Sequence, residues 1–165
     1  GGVSDPLGRF EVIVRDFAQN PVPNAHVDID LSQTFDVRLS SIGDPGITVV
    51  CAYRSVQAFT DQYGIARFTI RGGSRVGPPT SYSATVRVYA DGVLGAIIPV
   101  STPDLDGING VGAGDLAIWL DDFFSQQNPL RSDYNSNGLL SAADLAKWLE
   151  VFTLVGSTPS DPVCP

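Results

Sequence analysis

Oxygen-bearing side chains recur at short intervals in the last part of the chain. Asp133, Asn135 and Asn137 alternate with other residues, Gly138 follows, and Asp144 comes a few residues later. Carboxylate, amide and backbone oxygens at this spacing can surround a hard cation at about 2.3–2.6 Å, and Ca²⁺ is the ion that most readily accepts so many oxygens. The predicted ligands of this second loop are Asp133, Asn135, Asn137, the backbone carbonyl of Leu139, and Asp144.

An earlier segment repeats the pattern 29 residues before. Asp104, Asp106, Asp115, Trp119 and Phe123 align in turn with Asp133, Asn135, Asp144, Trp148 and Phe152. Acids and aromatic residues that agree at one offset indicate an internal duplication. In this first loop Ile108 stands where Asn137 stands in the second, and it has no side-chain oxygen. The first loop is therefore expected to use a backbone carbonyl, a water or Asn109, with Gly110 at the seventh position, and to bind calcium with lower affinity. The alternative is a degenerate loop that is retained for packing.

The paired loops resemble the dockerin form of the EF-hand, in which the loop ends in Asp and leads directly into a helix. The resemblance covers residues 104–155 and implies two calcium ions. Dockerins commonly dock onto cohesin scaffolds through Ser-Thr at loop positions ten and eleven, where this chain has Ala113-Gly114 and Ala142-Ala143. The calcium-binding fold therefore carries over from the family, whereas cohesin binding does not follow.

Each loop is followed by apolar residues at helical spacing. The two predicted stripes, which should face each other across a two-helix core, are Leu116, Trp119, Leu120 and Phe123, and Leu145, Trp148, Leu149 and Phe152. Asp121 and Asp122 are interpreted as a solvated acidic face. Because so small a unit buries little apolar surface, calcium is expected to contribute to its folding, and the metal-free unit should be partly disordered.

The first hundred residues alternate between apolar and polar positions, as half-buried strands do. Phe10, Val12 and Val14 share one face of a predicted strand, and Val27 and Ile29 share one face of the next. Turn residues separate the segments, including Asp44-Pro45-Gly46, Gly72-Gly73 and Asp91-Gly92. The predicted strands are residues 8–17, 25–31, 35–39, 47–53, 55–59, 65–70, 84–89 and 93–100. Seven or eight short strands with this punctuation favour an antiparallel β-sandwich.

Two turns in this part resemble those of bacterial Ig-like surface modules. They are Asn20-Pro-Val-Pro-Asn-Ala-His-Val and Phe59-Thr-Asp-Gln-Tyr-Gly-Ile-Ala-Arg-Phe, and the resemblance covers about residues 8–100. The predicted fold class is mainly β with a small α module, namely an Ig-like antiparallel β-sandwich followed by a dockerin-like calcium-loop–helix domain. Eight of the ten basic residues precede position 89 and the last third is acidic, which places the boundary near residue 102. The predicted domains are residues 1–101, residues 102–155, and a Pro/Ser-rich tail, 156–165.

Two cysteines, Cys51 in a predicted strand and Cys164 next to the C-terminus, fit an oxidising compartment. They could pair within one chain and tie the tail to the sandwich, or Cys164 of one subunit could reach Cys51 of the next. Serine and threonine residues near proline are possible O-glycosylation sites. They are Thr80, Ser101, Thr102, Ser157, Thr158 and Ser160.

Composition limits the classes of function. A net charge of −8 and a pI near 4.3 disfavour nucleic acid as a partner and suit a divalent cation. No apolar run is long enough to span a bilayer. The chain has no Met, so we expect that a secretory signal was removed and that the protein is extracellular. Catalysis is not expected, because the single histidine, His26, is interpreted as a surface residue and no nucleophile motif is present.

Binding and structural roles remain. The preferred hypothesis is a subunit of a secreted fibre or surface layer that self-associates head-to-tail, with both terminal tails available to add a strand to a neighbour. The second is an anchoring module of a larger secreted protein or enzyme that docks to a scaffold protein. The third, a glycan-binding or adhesive module, is disfavoured by the scarcity of exposed Trp and Tyr.

Overall fold

The computed structural model describes residues 9–34, 36–74, 85–108, 110–126, 129–155 and 162–164. Within these residues nine strands come first along the chain and three helices follow. The strands are β1 Arg9–Ile13, β2 His26–Asp30, β3 Val37–Leu39, β4 Thr48–Val50, β5 Ser55–Phe59, β6 Ile65–Thr69, β7 Gly72–Ser74, β8 Thr85–Ala90 and β9 Val93–Pro99. The helices are α1 Ala113–Ser125, α2 Pro129–Ser132 and α3 Ala142–Val155. The expected mainly β fold with a small helical part is confirmed, whereas the Ig-like and dockerin assignments and the domain boundary stay predictions.

The described strands form three antiparallel sheets. The largest has the order β4-β5-β2-β8-β9, and two smaller sheets pair β1 with β6 and β3 with β7. The register of β2 places Val27 opposite Ala58 and Ile29 opposite Val56 on β5, and Ile29 also lies opposite Val88 on β8. The central strand β2 therefore brings its own apolar side chains together with those of its two neighbours, β5 and β8.

One apolar core joins the three sheets. Val27 and Ile29 of β2 are fully buried together with Leu39 of β3, Phe68 of β6 and Val86 of β8. Phe10 and Val12 of β1, and Val14 just after it, pack at the edge of this core in the alternation predicted from the sequence, whereas Ile13 is exposed. We refer to residues 9–100 as the β module and to residues 102–155 as the loop–helix module.

Two local predictions in the β module were wrong. Gly72-Gly73 is not a turn but part of β7, which pairs with β3. Glycine is suited to this strand because a Cβ on Gly72 would overlap the backbone oxygen of Arg38. Cys51 is not in a strand, because β4 ends at Val50 and residues 51–53 form a turn of 3₁₀ helix that ends with Arg54 in the left-handed region.

The described end of the chain is attached to the β module. Cys164 forms a disulfide with Cys51, with Cα atoms 5.0 Å apart, so the bond is within one chain. Its N–H donates to the Leu39 carbonyl, and Val163 forms a bridge with Ser40. The expectation that the C-terminal tail is available to a neighbour is therefore wrong for residues 162–164. The disulfide closes a long loop, and this stabilises a fold chiefly by restricting the unfolded chain.

Only part of each predicted apolar stripe on the helices is buried. Trp119 and Trp148 are each 2% exposed, but Leu120, Leu149 and Phe152 are 39%, 44% and 38% exposed. The buried surface of α3 instead includes Val151. The helices do not bury matching stripes against each other, because the loops supply much of the apolar surface that covers each tryptophan.

Several predictions fall outside the described residues, namely the possible O-glycosylation of Thr80, Ser157, Thr158 and Ser160, and any role of Asn109. Thr102 is only 5% exposed, which disfavours a sugar on this residue, and Ser101 is half-buried. His26 is half-buried in β2, where its ring lies 5.3 Å from the Phe59 ring. Among the described helices, none is long and apolar enough to cross a membrane.

Candidate metal centre

The first loop brings three carboxylates together. Oxygens of Asp104, Asp106 and Asp115 all lie within 4.8 Å of one another, so the three side chains could hold a metal ion. Asp104 and Asp115 are buried and Asp106 is half-buried. All three residues were predicted as ligands from their spacing.

The surroundings of Asp104 disfavour the ionised form of its carboxyl group. Burial, together with the nearby charges of Asp115 and Asp106, raises the pKa of this carboxyl to about 7, although backbone N–H groups of Gly107 and Ile108 act in the opposite direction. Its Oδ1 atom is buried and has no hydrogen-bond partner among the described residues. A buried carboxylate oxygen without a donor is costly, and a cation placed there would satisfy it.

Asp115 closes the first loop from the first turn of α1. Its Oδ1 accepts from the Asp106 N–H at 2.8 Å, and its Oδ2 accepts from the Gly112 N–H at 2.7 Å. Burial raises the pKa of Asp115, while these backbone N–H groups act in the opposite direction. The carboxylate therefore holds both the start of the loop and the start of the helix, which fixes its own position.

The central part of the first loop departs from the second. Ile108, at position five, is 50% exposed and offers no side-chain oxygen, although its N–H donates to Asp106 Oδ1 at 2.8 Å as the Asn137 N–H donates to Asn135 in the second loop. Gly110, at position seven, has φ +73°, whereas its counterpart Leu139 does not have positive φ. The backbone of the first loop thus follows a different path through the positions that were predicted to supply non-carboxylate ligands.

The second loop holds its predicted ligands with backbone hydrogen bonds. Asp133 accepts from the N–H groups of Asn137 and Gly138 at 3.2 and 2.7 Å, and Asn135 Oδ1 accepts from Asn137 at 3.0 Å. Asn137 Oδ1 in turn accepts from Leu139 at 2.8 Å. Gly138 has φ +81°, the left-handed conformation that a sharp turn at position six requires. These bonds fix the orientation of the oxygen-bearing side chains, of which Asp133 is buried and Asn135 and Asn137 are exposed.

Asp144 closes the second loop as Asp115 closes the first. It is fully buried and accepts from the Asn135 N–H at 3.2 Å and from the Ser141 N–H at 2.9 Å. Ser141 adds a side-chain bond to Asp144 and accepts from the Ala143 N–H at the helix start. This reciprocal cap is stronger than its counterpart in the first loop, where Gly112 has no side chain.

The two halves exchange apolar contacts. Trp119 of α1 shares a buried cluster with Leu140, which belongs to the second loop. Trp148 of α3 shares a second cluster with Val111, which occupies the corresponding position of the first loop. Each tryptophan therefore packs against the loop of the other repeat, and neither loop–helix unit completes its core alone.

Sequence reasoning missed a buried ion pair between the repeats. Asp122 is fully buried, and its carboxylate accepts two hydrogen bonds from the Arg131 guanidinium, both at 2.7 Å, and one from the Ser132 hydroxyl at 2.6 Å. The interpretation of Asp122 as part of a solvated acidic face was wrong. Its spacing from Trp119 and Asp115 places it on the buried face of α1, and that spacing could have revealed it.

The donor set suits a hard divalent cation. Carboxylate, amide and carbonyl oxygens are the ligands that Ca²⁺ prefers, and the buried Asp104 oxygen without a donor fits such an ion. Asp104, Asp106 and Asp115 would hold it in the first loop, and Asp133, Asn135, Asn137, Leu139 and Asp144 in the second. No protein-family model, curated protein or solved structure matches this chain.

Proposed function

We propose that the protein is a non-enzymatic, extracellular, calcium-binding structural protein that assembles head-to-tail into a secreted fibre or surface layer. The observation that carries the calcium part is the cluster of Asp104, Asp106 and Asp115, in which a buried carboxylate oxygen has no donor among the described residues. The same pattern occurs twice in the chain, and two loops with shared apolar clusters form one unit.

Calcium supports this unit by replacing missing apolar burial with metal-ligand bonds. Three acids in one small cluster repel each other, and a divalent ion converts that repulsion into attraction. An ion that binds only the folded loops also shifts the folding equilibrium by mass action. We therefore expect the loop–helix module to be much more stable with calcium than without it.

Isothermal titration calorimetry tests the calcium part. The chelated protein should bind two calcium ions, and Asp115→Asn should remove or strongly weaken one of them. Asp121→Asn is the matched control, because it removes one exposed acid from the same helix and should leave both sites intact. Absence of binding at millimolar calcium would contradict the proposal.

The β module supports the assembly part. Among the described residues β9 pairs only with β8, so it lies at one edge of the five-stranded sheet. It carries exposed apolar side chains at Val93, Leu94 and Ile97. An exposed apolar edge strand can associate with another chain. Because Cys51 and Cys164 are bonded within the chain, such contacts would be non-covalent.

Negative-stain electron microscopy tests the assembly part. Filaments or sheets should form in calcium and disperse in EGTA. Ile97→Asp should prevent assembly, because it replaces an exposed apolar side chain of the edge strand with a charge. The single chain should still fold, since Arg87 lies opposite on β8 and compensates that charge. Ile13→Asp is the control, since Ile13 is similarly exposed on β1. Single particles in both conditions would contradict assembly and would favour an anchoring module that docks to a scaffold protein.

A further inference from the structure

The first metal loop begins in contact with the β module. The Ser74 N–H, at the end of β7, donates to the Asp104 backbone carbonyl at 2.8 Å. Gly73 faces the Asp104 side chain so closely that an added Cβ would lie less than 3.0 Å from Oδ2. The glycine therefore leaves the space in which the carboxylate lies, and the two modules meet at the first predicted ligand.

Two buried polar atoms at this contact have no partner among the described residues. One is Asp104 Oδ1, and the other is the Oγ atom of Ser74, a residue that is 0% exposed. They belong to the two residues that the backbone hydrogen bond joins. Buried oxygens without donors are expected at a position where a cation or its water belongs.

The second loop is held differently. Asp133, the counterpart of Asp104, follows α2 directly, and the preceding Ser132 is bonded to Asp122 of α1. Its carboxylate is held by the N–H groups of Asn137 and Gly138 in its own loop. Among the described residues, the start of the second loop is thus fixed from within the loop–helix module. The start of the first loop is bonded to that module as well, through Trp148 and through backbone N–H groups of its own loop, but it has in addition the hydrogen bond from Ser74 of the β module.

We propose that β7 forms one wall of the first metal loop, so that calcium in this loop locks the β module to the loop–helix module. The inference rests on the proposed calcium binding. A cation on Asp104 restrains the residue whose carbonyl accepts the Ser74 hydrogen bond, and it thereby stabilises the junction. Gly73 is a positioning residue: it does not contact the ion itself, but it determines where the Asp104 carboxylate can lie.

Substitution of Gly73 directly tests whether β7 positions the Asp104 carboxylate in the first loop. Gly73→Ala places a methyl group where the end of the Asp104 side chain lies, and the movable atom is the carboxylate. First-loop calcium affinity should fall roughly 10- to 100-fold, as for other residues that orient a ligand. Amide NMR titration separates the sites, with Gly112 reporting on the first loop and Ser141 on the second. Gly95→Ala is the control, because its Cβ would make only an ordinary contact, and it should change neither affinity.

Hydrogen exchange of the wild-type protein tests the lock without any substitution. Calcium should slow exchange of the β7 amides by up to about 100-fold at 100 times its Kd, if the junction opens only when the ion leaves. Amides of β2 provide the comparison inside the same module. Unchanged first-loop affinity in Gly73→Ala together with unchanged β7 exchange would overturn the lock while calcium binding stands. Failure of both loops to bind calcium would overturn the lock and the proposed function together.

Discussion

The two loops share one repeated sequence pattern, yet their side chains would surround a cation differently. The first concentrates charge, with three acids whose oxygens lie within 4.8 Å of one another. The second has two acids and two asparagines, so it carries less negative charge, although backbone N–H groups bond to the oxygen-bearing side chains of both loops. Charge strengthens attraction for an ion but destabilises the empty loop, whereas neutral amides supply oxygens without adding that repulsion.

The residue that precedes each loop is also held by a different kind of hydrogen bond in the two repeats. Pro103, before the first loop, accepts a hydrogen bond from the Trp148 indole N–H at 3.1 Å. Ser132, before the second, is bonded to the buried Asp122–Arg131 pair. Each loop is thus held by the helix of the other repeat, once by a neutral bond and once by a buried charge. The comparison indicates that the first loop, with three neighbouring carboxylates against two in the second, should depend more on a bound cation.

The largest expected effect comes from the buried ion pair. Asp122→Ala leaves the Arg131 charge without its carboxylate, which should lower the free energy of unfolding by about 3–5 kcal/mol. Asp121→Ala, which removes the exposed neighbouring acid, should change it by less than about 0.5 kcal/mol. Urea denaturation in EGTA measures both. Equal effects of the two substitutions would show that the pair does not support the second loop.

The next effect should separate metal affinity from stability in the first loop. A Cβ on Gly114 would lie less than 3.0 Å from Asp106 Oδ2, so Gly114→Ala must displace that carboxylate. First-loop calcium affinity should fall roughly 10- to 100-fold, although alanine in a helix is more favourable than glycine by up to about 1 kcal/mol. The second loop already has Ala143 at this position, and Ala143→Gly should leave its affinity nearly unchanged. Equal calcium affinities in wild type and Gly114→Ala would contradict the positioning role.

The pH should affect the calcium affinity of the first loop more than that of the second. Because the pKa of Asp104 is raised from 3.8 to about 7, the metal-free folded state retains a proton that the unfolded chain has released between these pH values. This contribution to the free energy of unfolding therefore falls as pH rises through that window. Calcium requires the ionised carboxylate, so first-loop affinity should rise with pH up to about 7, by as much as roughly tenfold per pH unit.

Calcium titrations followed by amide NMR between about pH 5 and pH 8 measure this dependence for each loop. We expect a weaker dependence in the second loop, where Asn135 takes the place of Asp106 and two acids are present instead of three. Parallel pH curves for the two loops would show that the difference in charge has no effect on binding.

Local patterns predicted much of this arrangement. The alternation in β1 and β2 predicted which side chains enter the core, and the repeat predicted Asp104, Asp106 and Asp115 as one cluster. These predictions succeeded because the relevant spacing lies within a single strand or loop.

Contacts between distant segments were not predictable in the same way. The sequence pattern predicts a turn at the two glycines of β7, because only the Arg38 backbone and the Asp104 carboxylate, which are remote in sequence, explain why a side chain is excluded there. The sequence pattern likewise predicts a solvated Asp122, because its partner Arg131 lies beyond the end of α1. Helical spacing from Trp119 would place Asp122 on the buried face of α1, but which residue neutralises its charge depends on how the chain continues after α1.

The smallest effect distinguishes the two tryptophans. Trp148→Phe removes the donor to the Pro103 carbonyl and should lower the free energy of unfolding by about 0.5–1.5 kcal/mol beyond the change in packing. Trp119 is equally buried, but its indole N–H has no hydrogen-bond partner among the described residues, so Trp119→Phe loses only packing and should cost less. Thermal unfolding in EGTA measures both changes, and the Phe substitutions keep most of the aromatic volume. If Trp119→Phe were the more costly, its indole would have to donate elsewhere, and the two repeats would be more alike in their hydrogen bonds than the structure indicates.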